Sequence, residues 1–192
     1  MRLGPTDNSG FTIVEIVVSI TIAIIIFLLI TSTYVISQNA YSQTDTTAEL
    51  TQNGRVMLDR LVREIRQAQR LSNDLPIDTS DPDNLPNEIK FLDGHDISYK
   101  HYIRYYQAGN TLKRQVILYY FPASTTYYVL ETDTDVDEPH NPPLATTTED
   151  KIVGEFVDDI EFWGDKLINI NLYLSKDNAS QVIYTAVFGR NL

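Results

Sequence analysis

The chain has 192 residues, a formal net charge of −11 and no cysteine. That length suits one modest domain plus an extension. The lack of cysteine excludes disulfides and thiolate metal sites, and the acidic balance disfavours nucleic acid and anionic lipid surfaces as partners.

Residues 1–10 read as a short detachable leader, weakly basic because Arg2 is offset by Asp7. After Phe11 comes an apolar stretch that is uncharged from 16 to 44, preceded by a single carboxylate, Glu15. About 20 apolar residues span a hydrocarbon core, so this run suffices. A carboxylate inside such a span costs roughly 2.5–3.5 kcal/mol on insertion scales and therefore marks a function. A secretory signal has an apolar core of only about 7–15 residues and is cut after it, which does not fit. An ordinary single-span anchor fits the length but leaves Glu15 and the Gly10–Phe11 junction unexplained. Ile and Val dominate residues 13–30, and from Thr31 onward Ser, Thr, Gln and Tyr take over. The expected membrane half is 11–40.

Residues 41–71 are read as the second half of the same helix, amphipathic and water-facing. Leu50, Gly54, Met57, Leu58, Leu61, Ile65 and Ala68 recur at three- and four-residue spacing, the mark of one buried stripe. Arg55, Arg60, Arg63, Arg66 and Arg70 occupy the other faces with Asp59 and Glu64, which reads as a solvated face rather than a DNA-binding stripe. Gly54 costs about 1 kcal/mol in a helix interior; close packing against the head is favoured over a kink. If Phe11 begins the helix, Glu15 lies one turn on and on the same face.

The head, 72–192, opens with an acidic loop over 72–88 punctuated by Pro76, Pro82 and Pro86. From Ile89 the period becomes two. Ile97, Tyr99, His101, Ile103 and Tyr105 share one face of a strand, 107–111 is a hairpin loop, and 112–121 returns. A further strand covers 126–130. Asp133, Asp135 and Asp137 are weak calcium candidates. Val136 and Pro139 break an EF-hand-like register, so the acidic stretch and Thr146–Thr148 are read as flexible loop, and no cofactor is expected. His101 reads as a satisfied core residue. Strands at 158–163 and 166–174 flank a turn at Gly164-Asp165. Ile168, Ile170, Leu172 and Leu174 line one face, and 181–188 closes the head. Short connections imply antiparallel pairing. The expected fold class is α+β, a long N-terminal helix against a mostly antiparallel sheet. No nucleophile–base spacing or phosphate loop is visible, so an enzyme is not expected.

Gly10, Phe11, Thr12 and Glu15, followed by the apolar run, resemble the type IV pilin, type II secretion pseudopilin and competence pseudopilin class. The stretch 53–67 (Asn53-Gly-Arg-Val-Met-Leu-Asp-Arg) and looser patterns such as Ile103-Arg-Tyr-Tyr106 resemble J-type minor pseudopilins. The resemblance implies a pilin-like fold, cleavage after Gly10 by a prepilin peptidase, N-methylation of Phe11, and an assembly role for Glu15. It further implies a minor subunit near a filament tip or at assembly initiation. Its partners would be the membrane, other minor and major subunits and an inner-membrane assembly platform, with no nucleic acid. The leader would be cytoplasmic and the head extracytoplasmic. The competing reading is a membrane-anchored binding module that never enters a filament.

Overall fold

A computed structural model describes residues 10–81, 84–95, 100–135 and 141–189. The chain divides into two units, Met1–Asp45 and Thr46–Leu192. One helix, α1 (Ile13–Gln67), contributes to both.

In the first unit, the described residues from 10 to 45 are all exposed. Three threonines here bond to their own helix: the Thr21, Thr31 and Thr44 hydroxyls donate to the carbonyls of Val17, Phe27 and Ala40 at 2.8–2.9 Å. A hydroxyl bonded to its own helix is the form tolerated away from water.

In the second unit, α1 lays its stripe on two antiparallel sheets. Leu50, Gly54, Met57, Leu58, Leu61 and Ile65 are buried, as their spacing predicts. The first sheet holds β1 (Arg70–Leu71), β2 (Glu88–Leu92), β3 (His101–Ala108) and β4 (Thr111–Phe121) in sequential order. Two further strands flank β4: β5 (Ser124–Val129) beside its last residues, and β6 (Leu144–Glu155) along its other edge. The second sheet is β7 (Val157–Trp163), β8 (Leu167–Lys176) and β9 (Ala179–Phe188) in that order. Every pairing is antiparallel.

The main core joins the helix stripe to both sheets. Ile168, Ile170, Leu172 and Leu174 face inward with Phe91, Ile103, Tyr105, Ile160 and Phe162. Each such side chain contributes about 1.5–3 kcal/mol on burial. Tyr102 points to the opposite face and packs with Leu92, Ile117 and Tyr119 in a smaller cluster. Gly54 is a packing residue: a Cβ there would overlap Ile183 and come within 2.7 Å of Leu174 Cδ1. The helix runs through it unbroken.

Several expectations change. The helix stops at Gln67 rather than 71, because Arg70 and Leu71 pair with Leu92 and Phe91. At its start, Phe11 lies outside the helix. The hairpin after β3 is only the Gly109-Asn110 turn, with Ala108 opposite Thr111 and Gly109 at φ 61°. Thr146–Thr148 is not a flexible loop: it lies in β6, with Thr146 and Thr147 opposite Leu118 and Ile117. β6 has no signature in the sequence because its residues are mostly exposed and it carries no clean apolar alternation. Ile97 and Tyr99 lie outside the described residues.

Candidate functional site

The helix start carries the residues singled out by the sequence. Glu15 occupies the third helical position and Thr12 the cap. The Thr12 N–H donates to Glu15 Oε2 (3.0 Å), and the Glu15 N–H donates to Thr12 Oγ1 (3.3 Å). This reciprocal pair is a capping box, which satisfies two of the amide donors that a helix start leaves open. The Thr12 hydroxyl adds a bond to the same Oε2 at 3.1 Å. Among the described residues, every hydrogen bond made by the Glu15 carboxylate falls on Oε2.

The i, i+4 relation between Phe11 and Glu15 expected on a shared helix face is therefore absent. The helix begins only at Ile13, and Thr12 rather than Phe11 is the local partner of the carboxylate. Gly10 and Phe11 are exposed, and a Cβ at Gly10 would meet nothing within 4 Å. Residues 1–9, the rest of the expected leader, lie outside the described residues. The Thr12-x-x-Glu15 spacing is the sequence signal of this cap.

α1 is long and apolar enough to cross a membrane. A capping box is well suited to such an entry, since it supplies partners for amides that water would otherwise have to serve.

Asp133 accepts the Leu130 N–H at 2.7 Å and lies 3.8 Å from Lys100. Asp137 is outside the described residues. Among the described residues no three of His, Cys, Asp and Glu gather at one point. His101 is half-buried, with Nε2 2.7 Å from Asp93 Oδ2. His140 is outside the described residues.

The arginine face divides. Arg60 pairs with Glu64 at 3.4 Å, and Arg70 reaches Thr132 at 3.2 Å. Arg55, Arg63 and Arg66 are exposed and have no partner among the described residues. Two polar networks on the head were invisible in the sequence because they join distant segments. Arg114 bridges Glu64 on α1 and Glu149 on β6, each at 2.9 Å. Glu131 gathers Lys90 (2.6 Å), Tyr119 (3.0 Å) and Ser72. Burial disfavours the Glu131 carboxylate, but the bonds from Lys90, Ser72 and Tyr119 outweigh it and hold its pKa below the ordinary value.

Comparison with known protein families, curated proteins and solved structures found no match.

Proposed function

We propose that the chain is a minor subunit of a pilin-like filament, of the type II secretion pseudopilin or type IV pilin kind, matured by a cut between Gly10 and Phe11. The observation that carries this reading is the relation of junction to helix. Gly10 and Phe11 are outside the helix, and the helix opens at once on the Thr12–Glu15 cap and an apolar run. A peptidase needs an extended, accessible bond, and a cap fixed just beyond it keeps the first turn from unwinding when that bond is cut.

In this reading Glu15 has two tasks divided between its oxygens. Oε2 caps its own helix. Oε1 is left to meet the amine of Phe11 on a neighbouring subunit, a pairing that lowers the cost of both charges in lipid. The head faces the extracytoplasmic side and the leader the cytoplasm. Prepilin peptidase, other minor and major subunits and an assembly platform are the partners. The arginine-rich helix end and the cysteine-free head favour a scarce tip or initiating subunit over the repeating shaft subunit.

Mass spectrometry of the mature N-terminus tests the proposal. N-methylated Phe11 is the expected result. An intact Met1, or a cut beyond Ile30, overturns it and leaves a membrane-anchored binding module.

A further inference from the structure

The strand edges of the head are closed in different ways, and β9 is the exception. An open edge presents unpaired N–H and C=O groups, and proteins normally blunt it with charge, bulges, shortness or a cover. β1 has two residues. β5 pairs with β4 at only three positions across a register shift. β6 carries Glu149, Asp150, Lys151 and Glu155 and is shifted twice against β4. The outer side of β7 is covered by loop carbonyls: Asn110 accepts from Val157 N–H (2.9 Å) and Pro86 from Phe162 N–H (3.1 Å). By contrast, β9 pairs with β8 without a register shift over ten residues, Ala179 to Phe188, and none of the ten is charged. Among the described residues, no backbone hydrogen bond reaches its far side.

Two further features flank that edge. On the outer face Val182, Tyr184 and Phe188 stand 54%, 61% and 68% exposed, an apolar stripe at strand spacing. On the inner face, α1 packs through Gly54 on Ile183 of β9. Glu64 marks the flank of α1 turned toward the first sheet, through Arg114. At about 100° per residue, Arg55 and Arg66 fall about 180–200° from Glu64. They therefore fall on the flank of the helix away from the first-sheet contact, and have no partner among the described residues.

We propose that β9 is an acceptor edge for an extended segment of a partner protein in which apolar and acidic residues alternate. Strand addition supplies main-chain hydrogen bonds, and the alternate side chains supply selectivity. One set of side chains extends the Val182, Tyr184 and Phe188 stripe, and the other set turns its carboxylates to Arg55 and Arg66. A second copy of this chain is the poorer occupant. Self-pairing across β9 would bring two arginine flanks together on one side of the seam, and like charges there cost affinity. The surface belongs to the head and is independent of leader processing, so an unprocessed chain binds the segment equally well.

The test uses the full chain in nanodiscs of neutral phosphatidylcholine and a fluorescein-labelled twelve-residue peptide alternating valine and glutamate. Controls are a scrambled peptide of the same composition and one alternating valine and lysine. Fluorescence anisotropy should show binding of the alternating acidic peptide alone. The pair Arg55→Glu with Arg66→Glu, and separately the pair Val182→Lys with Tyr184→Lys, should each weaken it at least tenfold. All four positions are exposed, and an unchanged far-UV spectrum and unfolding midpoint exclude misfolding as the cause. With Val182→Cys, the only thiol in the chain, a form of the peptide whose cysteine is activated as the 2-thiopyridyl disulfide should form a mixed disulfide by thiol exchange, releasing pyridine-2-thione. Absence of binding, equal binding of alternating and scrambled peptides, or indifference to both pairs of substitutions overturns the proposal. So does concentration-dependent dimerisation through β9, which would assign the edge to a second copy.

Discussion

Arg114 on β4 holds Glu64 on α1, with Nε 2.9 Å from Oε2, and both side chains are largely removed from water. Burial opposes the Arg114 charge, yet the Glu64 bond outweighs it and raises the guanidinium pKa. The pair ties the helix to the first sheet beside its buried apolar stripe. Because removing one partner strands the other, Glu64→Gln should destabilise the head by about 1–3 kcal/mol. Denaturant unfolding followed through Trp163, the only tryptophan, reads the change.

Next to this pair, the Tyr105 hydroxyl is buried and makes no hydrogen bond of good geometry among the described residues, although the Glu64 carboxylate lies beside it. Burial first, and then the neighbouring Glu64 carboxylate, raise its pKa, so it stays a neutral phenol. Tyr105→Phe removes the unmet polar group and keeps the ring stacked near Phe91. The expected outcome is a gain of up to about 1 kcal/mol in unfolding free energy. A loss larger than that would mean the hydroxyl has a partner after all.

Two glycines at positive φ should differ in tolerance. Gly109 sits at φ 61° with open space where a Cβ would go. Gly109→Ala should cost about 1 kcal/mol. Gly164 sits at φ 116°, and its Cβ would strike the Leu167 carbonyl backbone. That region is open essentially to glycine alone, so Gly164→Ala should cost about 2–3 kcal/mol or more. Paired denaturation curves of the two variants check the order.

Acid should loosen the Glu131 network. The Glu131 pKa is lowered from 4.5 in the folded state. Its stabilisation is therefore complete above the unfolded value and is lost as pH falls through the folded one. Lys90 is shifted the other way: burial disfavours its charge, but Glu131 more than compensates and raises its pKa above 10.5. That contribution is complete below 10.5 and fades only at higher pH. Unfolding midpoints measured between pH 7 and 3 should fall less steeply in Glu131→Gln than in the parent chain.

At the helix start the cap and the carboxylate can be separated. Thr12→Ala should fray the first turn, at a cost of about 1 kcal/mol, seen as faster amide exchange at Glu15, while keeping the carboxylate. Glu15→Ala should leave membrane insertion intact and impair filament assembly. Normal incorporation of the Glu15→Ala subunit would sink the assembly role. An assembly defect in Thr12→Ala equal to that of Glu15→Ala would show that the cap is what matters.

Much of the architecture was legible because periodicity reports burial directly. The stripe from Leu50 to Ile65 and the row Ile168, Ile170, Leu172, Leu174 are buried as their spacing requires. The candidate site was legible only as a set of residues. Glu15 is conspicuous by its charge, but its engagement with Thr12 depends on where the helix begins. That boundary lies two residues later than the junction suggested. β6 was not legible, because an edge strand with mostly exposed side chains shows no burial pattern.

The sequence by itself determined the long apolar helix, the amphipathic stripe that follows and the strand-rich head. Each of these depends on a local repeat of apolar side chains, and a repeat needs no knowledge of distant partners. Only the tertiary structure decided that the strands form two sheets, that Gly54 is an approach point for Ile183 and Leu174, and that Arg114 ties α1 to β6. It also decided that β9 alone is left as a long, uncharged, uncovered edge among the described residues. Those facts depend on which segments meet across large sequence separations. Pairing partners and covered edges are properties of that arrangement and leave no local repeat to read.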